Sequence, residues 1–280
     1  MRELAVIIMT LNEAENLPSC LGSLQPLDCD IFVIDSGSTD RTVDIAREAG
    51  ATVLSHKWET YASQFNWALA QIETPAKWVF RLDADERVSP ELSHSIRNSL
   101  PQLPEDVTGA YIALRILFLG RWIRHGGMYP TWLLRVWRRG IGRCEDRWMD
   151  EHIALEHGTC CHLAGDLIHE NQKGIDSWIQ KHNGYATREA RDVMQSQGDT
   201  SGRLSGQAAN KRWIKENAYA KLPLFWRAWW YWAYRYFLLL GFLDGREGAL
   251  FHFFQGLWYR SLVDAKVIEA RRKADAKTHG

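Results

Sequence analysis

The first 83 residues alternate between two periodicities that cannot share one element, and this alternation restricts the chain to one fold class. Residues 4–9 (LAVIIM) and 31–34 (IFVI) are short continuous apolar runs, and 52–55 (TVLS) and 77–82 (KWVFRL, ending at Asp83) read as a third and a fourth short strand. Such runs are expected of strands buried on both faces, as in a parallel sheet. Between them, residues 12–24 place Leu17, Cys20, Leu21 and Leu24 at helical spacing, and 61–72 do the same with Phe65, Ala68, Leu69 and Ile72. Residues 41–49 read as a further helix, with Gly50 placed to end it. Strand and helix in strict alternation predict an α/β fold, a Rossmann-like, mostly parallel sheet flanked by helices.

Open sheets of this kind bind ligands beyond the carboxyl ends of their strands. Three polar segments fall there: Thr10 to Glu13, Asp35 to Asp40 (DSGSTD) and Asp83 to Glu86 (DADE). Asp83 and Asp85, two residues apart at a strand end, suit a hard divalent cation, which prefers oxygen ligands. A cation there would neutralise a diphosphate leaving group. By itself such a pair is also an ordinary solvated loop. Asp35 can take ribose or base hydrogen bonds, as acidic residues do in dinucleotide folds. It can equally organise the turn before the next helix, with Ser38, Thr39 or Asp40 as cap, and the two roles are compatible.

Taken in order, residues 9–13 (MTLNE), 33–51 (VIDSGSTDRTVDIAREAGA), 64–68 (QFNWA) and 81–86 (RLDADE) resemble family 2 glycosyltransferases of the GT-A fold. The branch they are similar to includes bacterial lipopolysaccharide-core and exopolysaccharide transferases. The resemblance is dense over residues 4–90 and thins towards 190. It implies a metal-dependent, inverting transfer of a sugar from a nucleotide diphosphate sugar, expected to be a UDP-sugar, to a saccharide acceptor. It places Thr10, Asn12, Glu13 and Asp35, with Ser36 and Gly37 in the same turn, around the base and ribose. Gln64 and Asn66 would line the nucleotide pocket. Asp83, with Arg81 beside it, and Asp85 would hold the diphosphate and Mn²⁺ or Mg²⁺, with Asp85 favoured as the direct ligand. His169 is the candidate further ligand, and Arg135 a candidate for the donor phosphates; Arg138 reads rather as part of a solvated face. The general base is expected within 148–152 (WMDEH), where Asp150 is slightly favoured over Glu151, since inversion needs a carboxylate beside the acceptor hydroxyl. Cys160, Cys161 and the nearby histidines lack zinc-ligand spacing.

Two other classes deserve weight. Apolar-Asp-Ser-Gly-Ser-Thr also presents the catalytic Asp of aspartic proteases, but that chemistry needs a second such carboxylate, and the sequence has no second Asp-Ser/Thr-Gly. A membrane-surface scaffold keeping a degenerate nucleotide fold is the non-enzyme alternative, and the intact Asp35, Asp83 and Asp85 speak against it.

Residues 109–169 read as mixed strands and loops, 177–194 as a helix, and 195–207 (QSQGDTSGRLSGQ) as a flexible linker. The expected organisation is a catalytic domain over 1–194, a linker over 195–210 and a helical region over 211–280. Charge is split to match. The chain carries 34 basic and 34 acidic residues, yet 13 basic and 6 acidic fall from Lys211 onward. A neutral whole argues against a nucleic-acid partner. Six of the 14 Trp also lie in that last region, and Trp favours surfaces with one apolar and one wet side. Residues 222–243 (LPLFWRAWWYWAYRYFLLLGFL) are long enough to consider spanning a bilayer, but Arg227 and Arg235 each cost roughly 2.5–3.5 kcal/mol at its centre. With a polar turn over 244–248, a second aromatic stretch over 249–263 and the basic end Arg271, Arg272, Lys273 and Lys277, they fit aromatic helices lying in a membrane interface. Packing on the catalytic domain or on a second copy is the competing reading, and the oligomeric state stays open. No signal peptide is expected at the start, and the five cysteines read as reduced thiols. The expected location is the cytoplasmic side of a bacterial inner membrane, with a lipid-linked acceptor.

Overall fold

The computed structural model describes residues 2–145, 152–195 and 223–278. It contains strands β1 (Leu4–Thr10), β2 (Cys29–Asp35), β3 (Thr52–Ser55), β4 (Trp78–Asp83), β5 (Glu86–Val88), β6 (Val107–Phe118), β7 (Arg121–Ile123), β8 (Thr131–Arg138), β9 (Gly142–Cys144), β10 (Ile153–Leu155) and β11 (Thr159–His169). Its helices are α1 (Leu17–Leu24), α2 (Thr42–Glu48), α3 (Tyr61–Gln71), α4 (Pro90–Ser99), α5 (Gly174–Gln195), α6 (Trp226–Ala233), α7 (Gly245–His252) and α8 (Tyr259–Thr278). The described residues form two compact units. One comprises 2–117, 130–145 and 152–173, the other 118–129, 174–195 and 223–278.

In the first unit the sheet order is β3-β2-β1-β4-β8-β6-β11-β5. β1, β2, β3 and β4 pair in parallel, as the apolar runs predict. The rest is mixed: β8 runs antiparallel between β4 and β6, and β11 is parallel to β6 but antiparallel to β5. β1 explains its own composition. Leu4, Val6 and Ile8 pack with α1 residues Leu17, Cys20, Leu21 and Leu24 on one face. Ala5 and Ile7 pack with Phe65 and Ala68 of α3 on the other. A strand with helices on both faces has no side for polar residues. Fully burying one such Ile or Phe contributes about 1.5–3 kcal/mol.

The helix expected from residue 12 starts only at Leu17. Asn12 sits in the left-handed region at φ 56°, a conformation Asn tolerates better than most residues. The amides of Glu13 and Ala14 donate to Thr42 Oγ1 and Asp40 Oδ2 rather than to helical carbonyls. Residues 12–16 therefore belong to a loop, and Pro18 falls in the first helical turn, where its missing N–H costs nothing.

In the second unit α5 lies along α8. Ala186, Tyr259 and Val263 form its small core, and Glu189 accepts from Tyr259 Oη and Arg260 at 2.7 Å each. The stretch expected as one helix over 222–243 is α6 followed by a π-helical turn, Tyr234–Leu238, and a break at Leu240 with φ 59°. The polar turn expected over 244–248 is instead the start of α7. Asp244 is buried and accepts from the backbone N–H and Nδ1 of His125, at 2.8 and 2.6 Å. No described helix is long and apolar enough to cross a membrane.

His252 is fully buried in this unit against Gly126 and Gly241, where any side chain would strike its ring. Neither ring nitrogen has a hydrogen-bond partner among the described residues. Burial first, then the nearby Arg235 guanidinium, lower its pKa to about 4. The unfolded chain takes up this proton near pH 6.5 and the folded chain only near 4. This contribution is therefore complete above about pH 6.5 and is lost as pH falls through that window. The expected loss from pH 7 to 4.5 is on the order of 2 kcal/mol. Urea unfolding across this range should show a shallower acid decline for His252→Leu than for the wild type; equally steep declines would contradict the assignment.

Candidate functional site

The carboxyl ends of β1, β2 and β4 place the three polar segments side by side. Asp35, the last residue of β2, is buried, and its carboxylate organises the turn that follows. Oδ2 accepts from the backbone N–H groups of Gly37 and Ser38, at 2.9 and 2.8 Å. Oδ1 accepts from Ser38 Oγ at 2.5 Å and Thr10 Oγ1 at 3.1 Å. Gly37 has φ 97°, which only glycine adopts without strain, so both amides can turn inward onto one oxygen. The turn role of Asp35 is thus built, and all its strong acceptor positions face its own chain.

This turn is stitched to the loop after β1. Asn12 Oδ1 accepts from Thr39 N at 2.8 Å, and Asn12 N donates to Ser38 Oγ at 2.8 Å. Ser36 N donates to the Thr10 carbonyl. Glu13 pairs with Lys173 Nζ at 2.6 Å and accepts from Asn16 Nδ2. Asn16 Oδ1 in turn accepts from the Gln172 amide. Lys173 and Asn16 are functional candidates that the sequence reading passed over. They come from opposite ends of the unit, so no local spacing signals the contact.

Gln64 and Asn66, predicted to line one pocket, do different things. They lie two apart on α3, about 200° around the helix, so they face apart. Gln64 is buried and donates through Nε2 to Ser36 Oγ at 2.6 Å. Its Oε1 is buried without a partner among the described residues, an acceptor beside the Asp35 turn that calls for a donor. Asn66 clamps the backbone of Cys144 in both directions, at 2.9 Å each way. Its role is to hold β9.

The β4 end concentrates charge. Arg135 on β8 is buried, and its Nη2 donates to Asp83 Oδ2 at 3.0 Å and Glu86 Oε1 at 2.6 Å. Glu86 Oε2 accepts the Asp83 amide at 3.0 Å, and Tyr61 Oη donates to Asp83 Oδ1 at 3.2 Å. Arg81 stacks over the Tyr61 ring at 4.3 Å, with Nε 3.8 Å from Asp83. Burial alone would raise Asp83, but Arg135 and Arg81 outweigh it and hold the carboxyl at about 2. Burial wins at Glu86, which is pushed up to about 7 against the pull of Arg135. Nε and Nη1 of Arg135 and Nε of Arg81 are buried donors without hydrogen-bond partners among the described residues. Glu86 is a third residue missed from sequence: inside a run of acids nothing distinguishes it. Arg138, expected on a solvated face, instead donates to the Val107 and Pro104 carbonyls and stacks on Trp78.

Asp85 is buried just beyond β4, and Nδ1 of His169, the last residue of β11, lies 3.5 Å from its Oδ1. A carboxylate oxygen and an imidazole nitrogen at this separation can share one divalent cation, with the remaining positions left to water and ligand oxygens. Among the described residues no group of three or more His, Cys, Asp or Glu converges as a metal site, so substrate oxygens would have to complete the shell. Asp150 and Glu151, the expected bases, lie outside the described residues.

Residues 5–169 match the family model described as Glycosyl transferase family 2. Two proteins named as uncharacterized glycosyltransferases, from Rickettsia typhi and Rickettsia prowazekii, are each 32% identical over 204 residues, covering 69% of this chain and 69% of theirs. Among solved structures, the mannosyltransferase PcManGT from Pyrobaculum calidifontis, in complex with GDP-Man and Mn²⁺, shares the fold. Its TM-score is 0.51 at 16% identity, covering 98% of this chain and 87% of that one.

The charge cluster predicts an asymmetry in stability. Removing Arg135 alone leaves Glu86 and Asp83 without their shared counter-ion, which should cost about 3–5 kcal/mol in Arg135→Met. Adding Glu86→Gln should recover much of that loss in a denaturant titration. A single variant within 1 kcal/mol of wild type would show that the cluster does not hold the β4 end in place.

Proposed function

Since the chain belongs to glycosyl transferase family 2 and is therefore a sugar transferase, we propose that it moves a sugar from a UDP-sugar, with a divalent cation and inversion at the anomeric carbon, to a lipid-linked saccharide of the lipopolysaccharide or exopolysaccharide type. The observation that carries this reading is the meeting of Asp85 and His169 at the end of the sheet where the Thr10 and Asp35 loops also lie, with Arg81 and Arg135 on Asp83, two residues before Asp85.

In this reading the loops of residues 10–13 and 35–40 frame the nucleoside, and Gln64 Oε1 offers an acceptor to a base or ribose donor. Asp85 and His169 hold the cation, which supplies charge neutralisation for the departing diphosphate. PcManGT, whose fold the chain shares, is described with a nucleotide sugar and Mn²⁺, which supports both ligands here. Asp83, kept ionised by its arginines, positions the loop that carries Asp85. The two arginines add fixed positive charge where the leaving group gains negative charge, which favours the transition state over the ground state. Asp150 or Glu151 takes the acceptor hydroxyl proton as that oxygen bonds to the anomeric carbon and the bond to the diphosphate breaks. We place the reaction at the cytoplasmic face of a bacterial inner membrane, where a lipid-linked acceptor would be met.

Calorimetric titration with UDP should give binding that strengthens when Mn²⁺ is present. Asp85→Ala should remove that Mn²⁺ dependence and lower sugar transfer at least about a hundredfold. Unchanged turnover in Asp85→Ala would overturn the metal assignment. Binding of GDP but not UDP would overturn the UDP-sugar donor while leaving the transferase in place.

A further inference from the structure

From residue 223 to 243 the second unit carries its surface inside out. Every exposed residue in this stretch is apolar or Tyr. Trp226 is 66% exposed, Trp230 67% and Leu238 74%, with Trp229, Phe237 and Phe242 also open. Its only two charged residues, Arg227 and Arg235, are buried, as is Asp244 just after it. Arg227 pairs with buried Asp264 of α8, whose Oδ2 also accepts the Phe225 amide at 2.8 Å. Arg235 donates through Nε to the Gly126 carbonyl at 2.8 Å. The arginines that make this segment look unsuited to lipid are internal struts, and the face they brace has no exposed charge. So many exposed large apolar side chains within 21 consecutive residues are not what a protein keeps towards water.

Three observations select its occupant. The exposed set is rich in Trp and includes Tyr234, the residues whose part-polar rings settle at the headgroup level of a bilayer. Exposed cations belong to the same unit, at Arg246 and at Arg271 and Arg272 of α8, which suits anionic headgroups; Lys273 of α8 is paired with Glu269. Finally, α6 and its π-helical turn comprise 8 and 5 residues. That is about 20 Å of helix against a hydrocarbon core of about 30 Å, and the left-handed Leu240 ends it. The element is too short to span and shaped to lie flat.

We propose that this face of the second unit docks in the plane of an anionic phospholipid bilayer, seating the α6 aromatics about 5–10 Å into the headgroup–acyl boundary. The assignment uses no residue of the catalytic site, so it stands or falls separately from the transferase reading.

The test uses the purified full chain and vesicles of phosphatidylglycerol and phosphatidylethanolamine, with phosphatidylcholine vesicles as the uncharged comparison. The wild type should float with the anionic vesicles, and brominated acyl chains in them should quench its Trp fluorescence, a readout that needs no variant. The exposed-face variant Trp229→Ser/Leu238→Glu should keep its circular dichroism and melting temperature and lose at least about tenfold in vesicle affinity, equivalent to about 1.4 kcal/mol. Absence of both flotation and quenching in the wild type would overturn the proposal. So would undiminished binding by the folded variant. Equal binding to phosphatidylcholine would overturn the anionic preference. A wild-type dimer by light scattering that the variant converts to monomer, with no lipid quenching, would assign the face to a second copy of the chain instead.

Discussion

The placement of the whole site depends on one guanidinium. Arg135 comes from β8, an antiparallel strand, and reaches carboxylates on β4 and β5. It thereby fastens the parallel half of the sheet to the mixed half at the level where the loop carrying Asp85 begins. A buried ion pair is weak evidence for net stability, because desolvation consumes much of the attraction. Its worth here is geometric. With Glu86 Oε2 fixing the Asp83 amide and Tyr61 fixing its carboxylate, the turn into Asp85 has little freedom. Asp85 can then be presented to His169 at a defined separation.

The same cluster separates two carboxylates that look alike in the sequence. Asp83 is kept ionised by a positive shell and faces its own fold, whereas Asp85 lies against an imidazole. Their environments, rather than their spacing, set the two carboxylates apart.

Local physics was legible from the sequence, and long-range pairing was not. The apolar runs of β1 to β4 and the helical stripes of α1 and α3 announce themselves because one element's periodicity suffices to identify it. The Asp35 turn was legible as a turn for the same reason. Helix α1 begins five residues later than the expected start at residue 12, because Asp40, in the loop after β2, and Thr42, at the start of α2, take the amides of residues 14 and 13. Glu86, Lys173 and the clamp of Asn66 on Cys144 were invisible, since each acquires meaning only from a partner far along the chain. Arg227 and Arg235 mark the limit most clearly. Sequence counts their charges but cannot tell that both point at Asp264 and Gly126 instead of outward.

The arrangement of β1 also bears on how the protein is made. β1 to β4 lie within the first 83 residues and can pair as soon as they leave the ribosome. The outer edge of β4 must wait for β8, some fifty residues later, and the far side of the sheet for β11. Emerging at about 5–20 residues per second, the nascent chain holds an apolar half-sheet with its β4 edge still unpaired for several seconds. An edge of that kind is a template for wrong partners. The stage of synthesis between Asp83 and Arg138 is therefore where a chaperone would matter most to this chain.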